Sequence, residues 1–453
     1  MALKYKILVL MFLVVMLTSY KISSKSSFEA GVGPNPHLPE PTTTLIPTIK
    51  IAEAVGWPAA TAPSAPPGFQ VTAFARDLAH PRWLYTMPNG DILVAESNRP
   101  PKPTDNQAND SGLYAWIRGK AQSILMGRAG ANVSSANQIT LLRGITPEGT
   151  AKLRSVFMKD LMSPFGMALV GNELYIANAD AVVKVPYSDG QTEINTVPVK
   201  VTDLPAGINH HWTKNIIAST DGKKLFVTVG SNSNIGENGL EIEEGRAAIW
   251  EIDIQTKEKR LYASGLRNPN GLAWEPETNT LWTVVNERDE IGNDLVPDYL
   301  TSVKDGAFYG WPWSYFGAHV DSRVKPPRPD KVAKAIAPDY ALGTHVAPLG
   351  LTFSSNSMPS PFDKGAFIGE HGSWNRDPLA GYKVVFVPFN NGKPNGMPID
   401  FLTGFLNAKE EAQGRPVGVI LDKTGSLLVA DDVGNIVWRV SPIETPHKVH
   451  TNE

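Results

Sequence analysis

Arg267 and Asn268 stand side by side in the turn GLRNPNG, followed by an apolar strand, a short turn and a second apolar strand that runs into the polar loop Asn286–Asp294. In an antiparallel hairpin the start of the first strand and the end of the second share one edge. The cation, the amide and the acidic loop should therefore meet at one mouth. A guanidinium beside a carboxamide suits the oxygens of an anion or quinone, where a planar fork serves better than an ammonium. The loop NERDEIGND can be read as oxygen ligands for a hard cation such as calcium, as a solvated acidic loop, or as a loop fixed by Asp294 pairing with Arg288.

Further chemistry-bearing residues fall at comparable places. The chain has nine histidines, and two of them, His210 and His211, precede an apolar strand. Neutral imidazole can take a hydroxyl proton near neutral pH without large tuning. The run GEHGSWNRDPLAG brings His371, Trp374, Asn375 and Arg376, an aromatic face with cations that suits a flat anionic ring system. Arg415 opens the last such unit. Each also has a plainer use, as a turn cap, a solvated cation or an exposed loop residue.

These sites are spaced by a repeat. Six segments, beginning at His80, Ser163, His210, Arg267, Ala347 and Gly414, share one grammar: a Pro or Gly turn, an apolar strand, a Gly/Asn/Asp turn and a second strand. Pairs such as Asn89-Gly90 and Asp221-Gly222 between apolar runs are hairpin signals. Outer strands such as AAIWEIDI and YKVVFVPF follow. The pattern predicts an all-β, six-bladed β-propeller with four-stranded antiparallel blades over residues 67–443. A β-sandwich is the competing architecture, but six similar hairpin openings fit radial repetition better. Insertions are expected in the first and fifth blades, with a short helix over Ala115–Gly127.

The 453 residues carry a net charge of −3 with mixed signs and no polybasic stripe, which argues against nucleic acid as a partner. Lys4 and Lys6 precede the apolar run Ile7–Leu17, so residues 1–27 read as a secretory signal or an uncleaved N-terminal anchor, with membrane association open. Residues 28–66, rich in Pro, Thr and Ala, read as a tether, and 444–453 as a tail. A periplasmic or secreted location follows. With no cysteine, disulfides, thiolate metal sites and covalently attached haem are excluded.

The wording HWTKN, NERDE, YGWP and HGSWNR, with GLRNPNG, resembles the glucose/sorbosone dehydrogenase family and more closely its L-sorbosone dehydrogenase-like branch. The family consists of six-bladed propellers that use pyrroloquinoline quinone (PQQ) and Ca²⁺. The resemblance implies His211 as general base and Arg267 and Asn268 as contacts to quinone and substrate. It places Arg415 on the first Arg of a quinone-binding Arg-x-Arg-Asp segment. It puts the calcium-binding carbonyls at Asp289 and Glu290. Val417 and Gly418 stand where that segment has its second Arg and its Asp, and Ser231 stands where the glucose branch has the Asp that orients the base. His371 or Arg376 would replace a quinone-binding Lys. The implied activity is oxidation of an aldose or aldehyde by hydride transfer to PQQ, with a separate electron acceptor. The alternatives are a calcium-dependent lactonase or esterase, and a non-catalytic propeller that captures a glycan or protein.

Overall fold

The computed structural model describes residues 28–42, 48–101, 127–130 and 132–443. The expected signal, the tail and nearly all of the helix expected over Ala115–Gly127 lie outside the described residues. The six predicted hairpins are the inner halves of six antiparallel sheets arranged as a propeller. Their innermost strands are Pro81–Thr86, Met167–Val170, Ile216–Ala218, Asn268–Trp274, Pro348–Phe353 and Pro416–Leu421. Each first pairs with the next strand in sequence, as a tight turn dictates.

Short side chains let the inner strands crowd around the axis. A Cβ on Gly350 would collide with the Val417 carbonyl, and one on Gly271 would sit 2.7 Å from Leu351 Cβ. The inner hairpins of blades one, four, five and six break register within their first two residues, after Pro81, Pro269, Pro348 and Pro416. Such bulges re-aim side chains at a sheet rim, and here they lie at the mouth. Between blades the apolar faces interlock. Trp83 of blade one packs 5.1 Å from Phe165, which meets Trp212 edge-on at 6.1 Å.

Two features differ from the sequence reading. Besides the expected long segment in blade one, between Ile92–Glu96 and Gln138–Ile145, blade four has an insertion the repeats did not mark: residues between Pro297–Ser302 and Tyr340–Thr344 carry a small hairpin, Ser314–Tyr315 with His319–Val320. The expected tether is a strap laid over blades four to six. Gly33 bridges to Ala341, Lys50 to Asn375, Ala54 to Ala412 and Ser64 to Thr403. Ala52 is buried, and Trp57 donates to Asp431 Oδ2 at 2.6 Å. The strap then enters the fold as Phe69–Ala75, the outermost strand of blade six, paired with Ile436–Pro442.

Candidate active site at the propeller mouth

His211 lies just before the inner strand of blade three. Its Nδ1 is 2.8 Å from the Ser231 carbonyl and 3.1 Å from Ser231 Oγ. A carbonyl only accepts, so Nδ1 carries the hydrogen and Nε2 keeps its lone pair. Among the described residues Nε2 has no hydrogen-bond partner. Ser231 thus performs with its backbone and hydroxyl the orienting task for which a carboxylate would otherwise serve. Burial, and then the nearby Arg267 charge, hold the imidazole well below its ordinary pKa of 6.5, so it is neutral. Beneath it, buried Lys214 donates to the His211 and Trp212 carbonyls, each at 3.3 Å, and to Asn209 Oδ1 at 3.0 Å. His210 is exposed at the rim, its carbonyl 3.4 Å from Arg99 Nη2.

Asn268 stands against His211. A Cβ on Gly230 would run into both Asn268 Oδ1 and His211 Cβ, so glycine at 230 lets the two side chains adjoin. Asn268 Oδ1 is buried without a partner, which leaves an acceptor unsatisfied at the centre of the mouth. Arg267 is pinned by protein atoms. It donates to the Asn234 carbonyl at 3.2 Å, the Glu287 carbonyl at 2.7 Å and Asp289 Oδ2 at 3.1 Å. The convergence expected of Arg267, Asn268 and the acidic loop is therefore present.

The loop itself is not a solvated carboxylate cluster. Arg288 is fully buried, bound to Glu287 Oε2, Asp321 Oδ2 and the carbonyls of Pro312 and Ser314. The expected Asp294–Arg288 pair does not form; Asp294 accepts from Arg376 instead, at 2.6 Å. Asp289 is a hub. Its Oδ1 faces Asn375 Nδ2 at 2.8 Å and His345 Nδ1 at 3.3 Å, and its carbonyl accepts from Asn234 and Arg323. Burial alone would raise its pKa, but Arg267, His345 and Asn375 outweigh this and bring it to about 2. Asp289 is thus an anion whose carboxylate and carbonyl oxygens both face N–H donors, the carbonyl being the atom expected to bind calcium. No group of three or more His, Cys, Asp or Glu with metal-holding geometry occurs among the described residues.

His371 and Arg415 sit at the blade five–six side. His371 Nε2 is 2.9 Å from Asp432 Oδ2, and the same carboxylate oxygen binds Arg82, with His80 beside it. Burial first, offset in part by Asp432, takes the His371 pKa down to about 4. Arg415 lies over the Tyr382 ring at 5.0 Å and contacts the Ala52 carbonyl of the strap. Its Nε, like that of Arg82, is buried without a partner. Arg376 is turned away: it stacks on Phe28 at 4.6 Å and binds the Pro378 carbonyl. A separate cavity of about 510 Å³ opens at the far end of the axis, lined by Tyr85, Ala218, Trp274 and Phe353, and contains none of the expected site residues.

Residues 142–299 and 328–442 match the TrAA12-like family model. The chain belongs to the TrAA12-like family. The resemblance carried by the motifs thus holds at family level. An uncharacterized protein of Borreliella burgdorferi is 30% identical over 296 residues, covering 62% of this chain and 76% of its own length. A pyrroloquinoline quinone-dependent pyranose dehydrogenase of Coprinopsis cinerea is 26% identical over 306 residues; the match spans 54% of this chain but only 41% of that enzyme. Among solved structures, the calcium structure of the Trichoderma reesei family AA12 enzyme superposes with a TM-score of 0.67 at 18% identity, covering 87% of this chain and 99% of that one. The holo PQQ domain of the Coprinopsis cinerea pyranose dehydrogenase gives 0.65 at 20% identity, covering 86% and 100%. These likenesses show the six-bladed fold of this TrAA12-like chain.

Sequence reasoning missed His80, Arg82 and Asp432, and on the other side His345, Asn234 and Arg323. For the first three a signal existed: His80 opens the first repeat and Asp432 follows the last inner hairpin, both at mouth positions. Arg323 lies in the blade-four insertion and His345 just after the strand that follows it, outside the repeat grammar.

Proposed function

We propose that this protein is a PQQ-dependent oxidoreductase that oxidises a sugar hydroxyl or aldehyde hydrate at the propeller mouth, an aldose or sorbosone-like aldehyde being the substrate class. The reading rests on one observation: His211 holds an unpartnered, neutral Nε2 beside the Asn268 amide at the axis. Family membership and the curated pyranose dehydrogenase relative support it. The mouth also fits a flat polyanion. Arg99, Arg82, Arg267 and Arg415 surround it, and the buried Nε atoms of Arg82 and Arg415 lack partners. PQQ, when bound, supplies an electrophilic ortho-quinone that accepts the hydride from substrate carbon and is reduced by two electrons.

His211 Nε2 takes the substrate O–H proton as the carbon gives up its hydride, and the Nδ1–H bond to Ser231 steadies the resulting imidazolium. Asn268 orients the reacting oxygen. Arg82, Arg415 and Arg267 supply the positive field that draws in carboxylates. Return of the cofactor to its oxidised form would require a separate two-electron acceptor. Calcium has no part in this reading, because the oxygens of Asp289 already face N–H donors.

The test is a pair of measurements on the His211→Asn variant. PQQ binding should persist, and PQQ-dependent oxidation of aldoses should fall about 10²–10⁴-fold, the usual range for a positioned base. Unchanged turnover would remove His211 from the reaction. Lactone hydrolysis or glycan capture without any quinone effect would favour the hydrolase or binding-module readings.

A further inference from the structure

Resting on the proposed quinone reading, we infer that this chain takes its anionic ligand without a divalent cation at the 287–290 loop, the place being held by the guanidinium groups of Arg267 and Arg323. The geometry carries the argument. Ca²⁺ takes six to eight oxygen lone pairs, from carboxylates and carbonyls as a rule. Here the Glu287 carbonyl accepts from Arg267 Nη1 at 2.7 Å. Asp289 Oδ2 is ion-paired with Arg267 at 3.1 Å, and Oδ1 accepts from Asn375 at 2.8 Å with His345 3.3 Å away. The Asp289 carbonyl accepts from Asn234 Nδ2 at 3.2 Å and from Arg323 Nη1 at 3.1 Å. The Asp289 carbonyl thus has both lone pairs engaged, and the Glu287 carbonyl and Asp289 Oδ2 each face the Arg267 guanidinium, whose positive charge disfavours a second cation beside it.

Arg323 is no chance surface contact. Its Nε and Nη2 grip both oxygens of Asp321 at 3.0 and 2.7 Å, and Asp321 is fixed in turn by buried Arg288 at 3.0 Å. The blade-four insertion thus presents a preorganised guanidinium at a backbone carbonyl where a cation would otherwise sit. Guanidinium groups supply positive charge and N–H donors, so they serve anion binding directly.

The experiment is calorimetric titration of chelator-stripped, full-length protein with PQQ, once in EDTA and once in excess CaCl₂, with a parallel thermal melt in each buffer. We expect the two dissociation constants to agree within about threefold, below the 5–150-fold range of ordinary site coupling. The melting temperature should be the same in both buffers. Arg323→Ala removes one of the two donors on the Asp289 carbonyl and a positive charge beside it, and its PQQ affinity should gain a Ca²⁺ dependence that the parent lacks. Affinity at least about 100-fold tighter with Ca²⁺ in the parent protein would overturn the inference and leave the quinone reading standing. No PQQ binding in either buffer, by protein that melts cooperatively, would overturn both.

Discussion

His211 owes its poise to what surrounds it. Burial disfavours its charged form, and Arg267 adds repulsion, so the ring stays neutral below the ordinary imidazole value of 6.5. A base acts only while unprotonated. Activity should therefore hold as pH falls through 6.5 and fail at a lower pH, where Nε2 finally takes a proton from solvent. Linkage gives the same sign for stability. A histidine whose folded pKa is depressed contributes stability present above 6.5 and lost as pH falls through the folded value. Arg267→Met removes one repulsive charge but leaves the burial, so the acid limb of kcat/KM against pH should move up toward 6.5. A limb that stays in place would show that Arg267 does not set the imidazole and serves only Asp289 and the loop carbonyls. Ser231 shows how a position without a carboxylate can still fix an imidazole tautomer. An orienting carboxylate is absent at this position, yet the carbonyl at 2.8 Å fixes the same tautomer.

At the scale of elements, the mouth is built by inner hairpins that bring their opening and closing residues together, and by an insertion that locks them. Arg288 is the lock. It ties the end of the second blade-four strand to the insertion hairpin through Glu287, Asp321 and two carbonyls, with no solvent exposure. Removing one member of a buried pair leaves its partners charged and unpaired, at a cost of about 3–5 kcal/mol. Arg288→Met should lower the urea midpoint accordingly and weaken PQQ binding, since Asp321 and Arg323 lose their anchor. A midpoint within error of the parent would mean that the insertion is not coupled to the site loop. The hairpins themselves were legible because a turn and its two strands are contiguous, so alternation and Asn-Gly or Asp-Gly pairs mark them. His211, Arg267 and Asn268 were legible for the same reason, as residues at equivalent hairpin edges. The Asp289 hub was not. It joins Asn234, Arg267, His345 and Asn375 from three blades, and no local period connects residues so far apart in the chain. Acidic side chains next to one another looked like a cation site until the fold supplied their donors.

Over the whole molecule, the ring is closed by strands from both ends of the chain. Phe69–Ala75 pairs with Ile436–Pro442, so blade six exists only when the N-terminal strand has returned to it. The alternation FQVTAFA marks a strand, but its partner lies at the opposite end of the sequence, and the Pro-rich run before it looked like a tether. Extended, Pro-containing chain can follow a surface with few backbone bonds, and the described parts of the strap, 33–42 and 48–64, do so. Along the way the Ala52 carbonyl meets Arg415, so closure and the mouth share parts. Phe74 is the closing strand's core residue, 4% exposed and packed in the cluster that holds Trp83, Leu428 and Val437. Phe74→Ala should cost about 3–5 kcal/mol by removing buried ring surface and leaving a cavity. Because blade six borders both blade one and blade five, that loss should lower the melting temperature of the entire propeller in a single transition. Fluorescence and circular dichroism melts should coincide. A variant in which an early step releases residues 28–75 while the remaining blades melt at the parent temperature would show that the ring stands without its closure, and that the strap is an attachment.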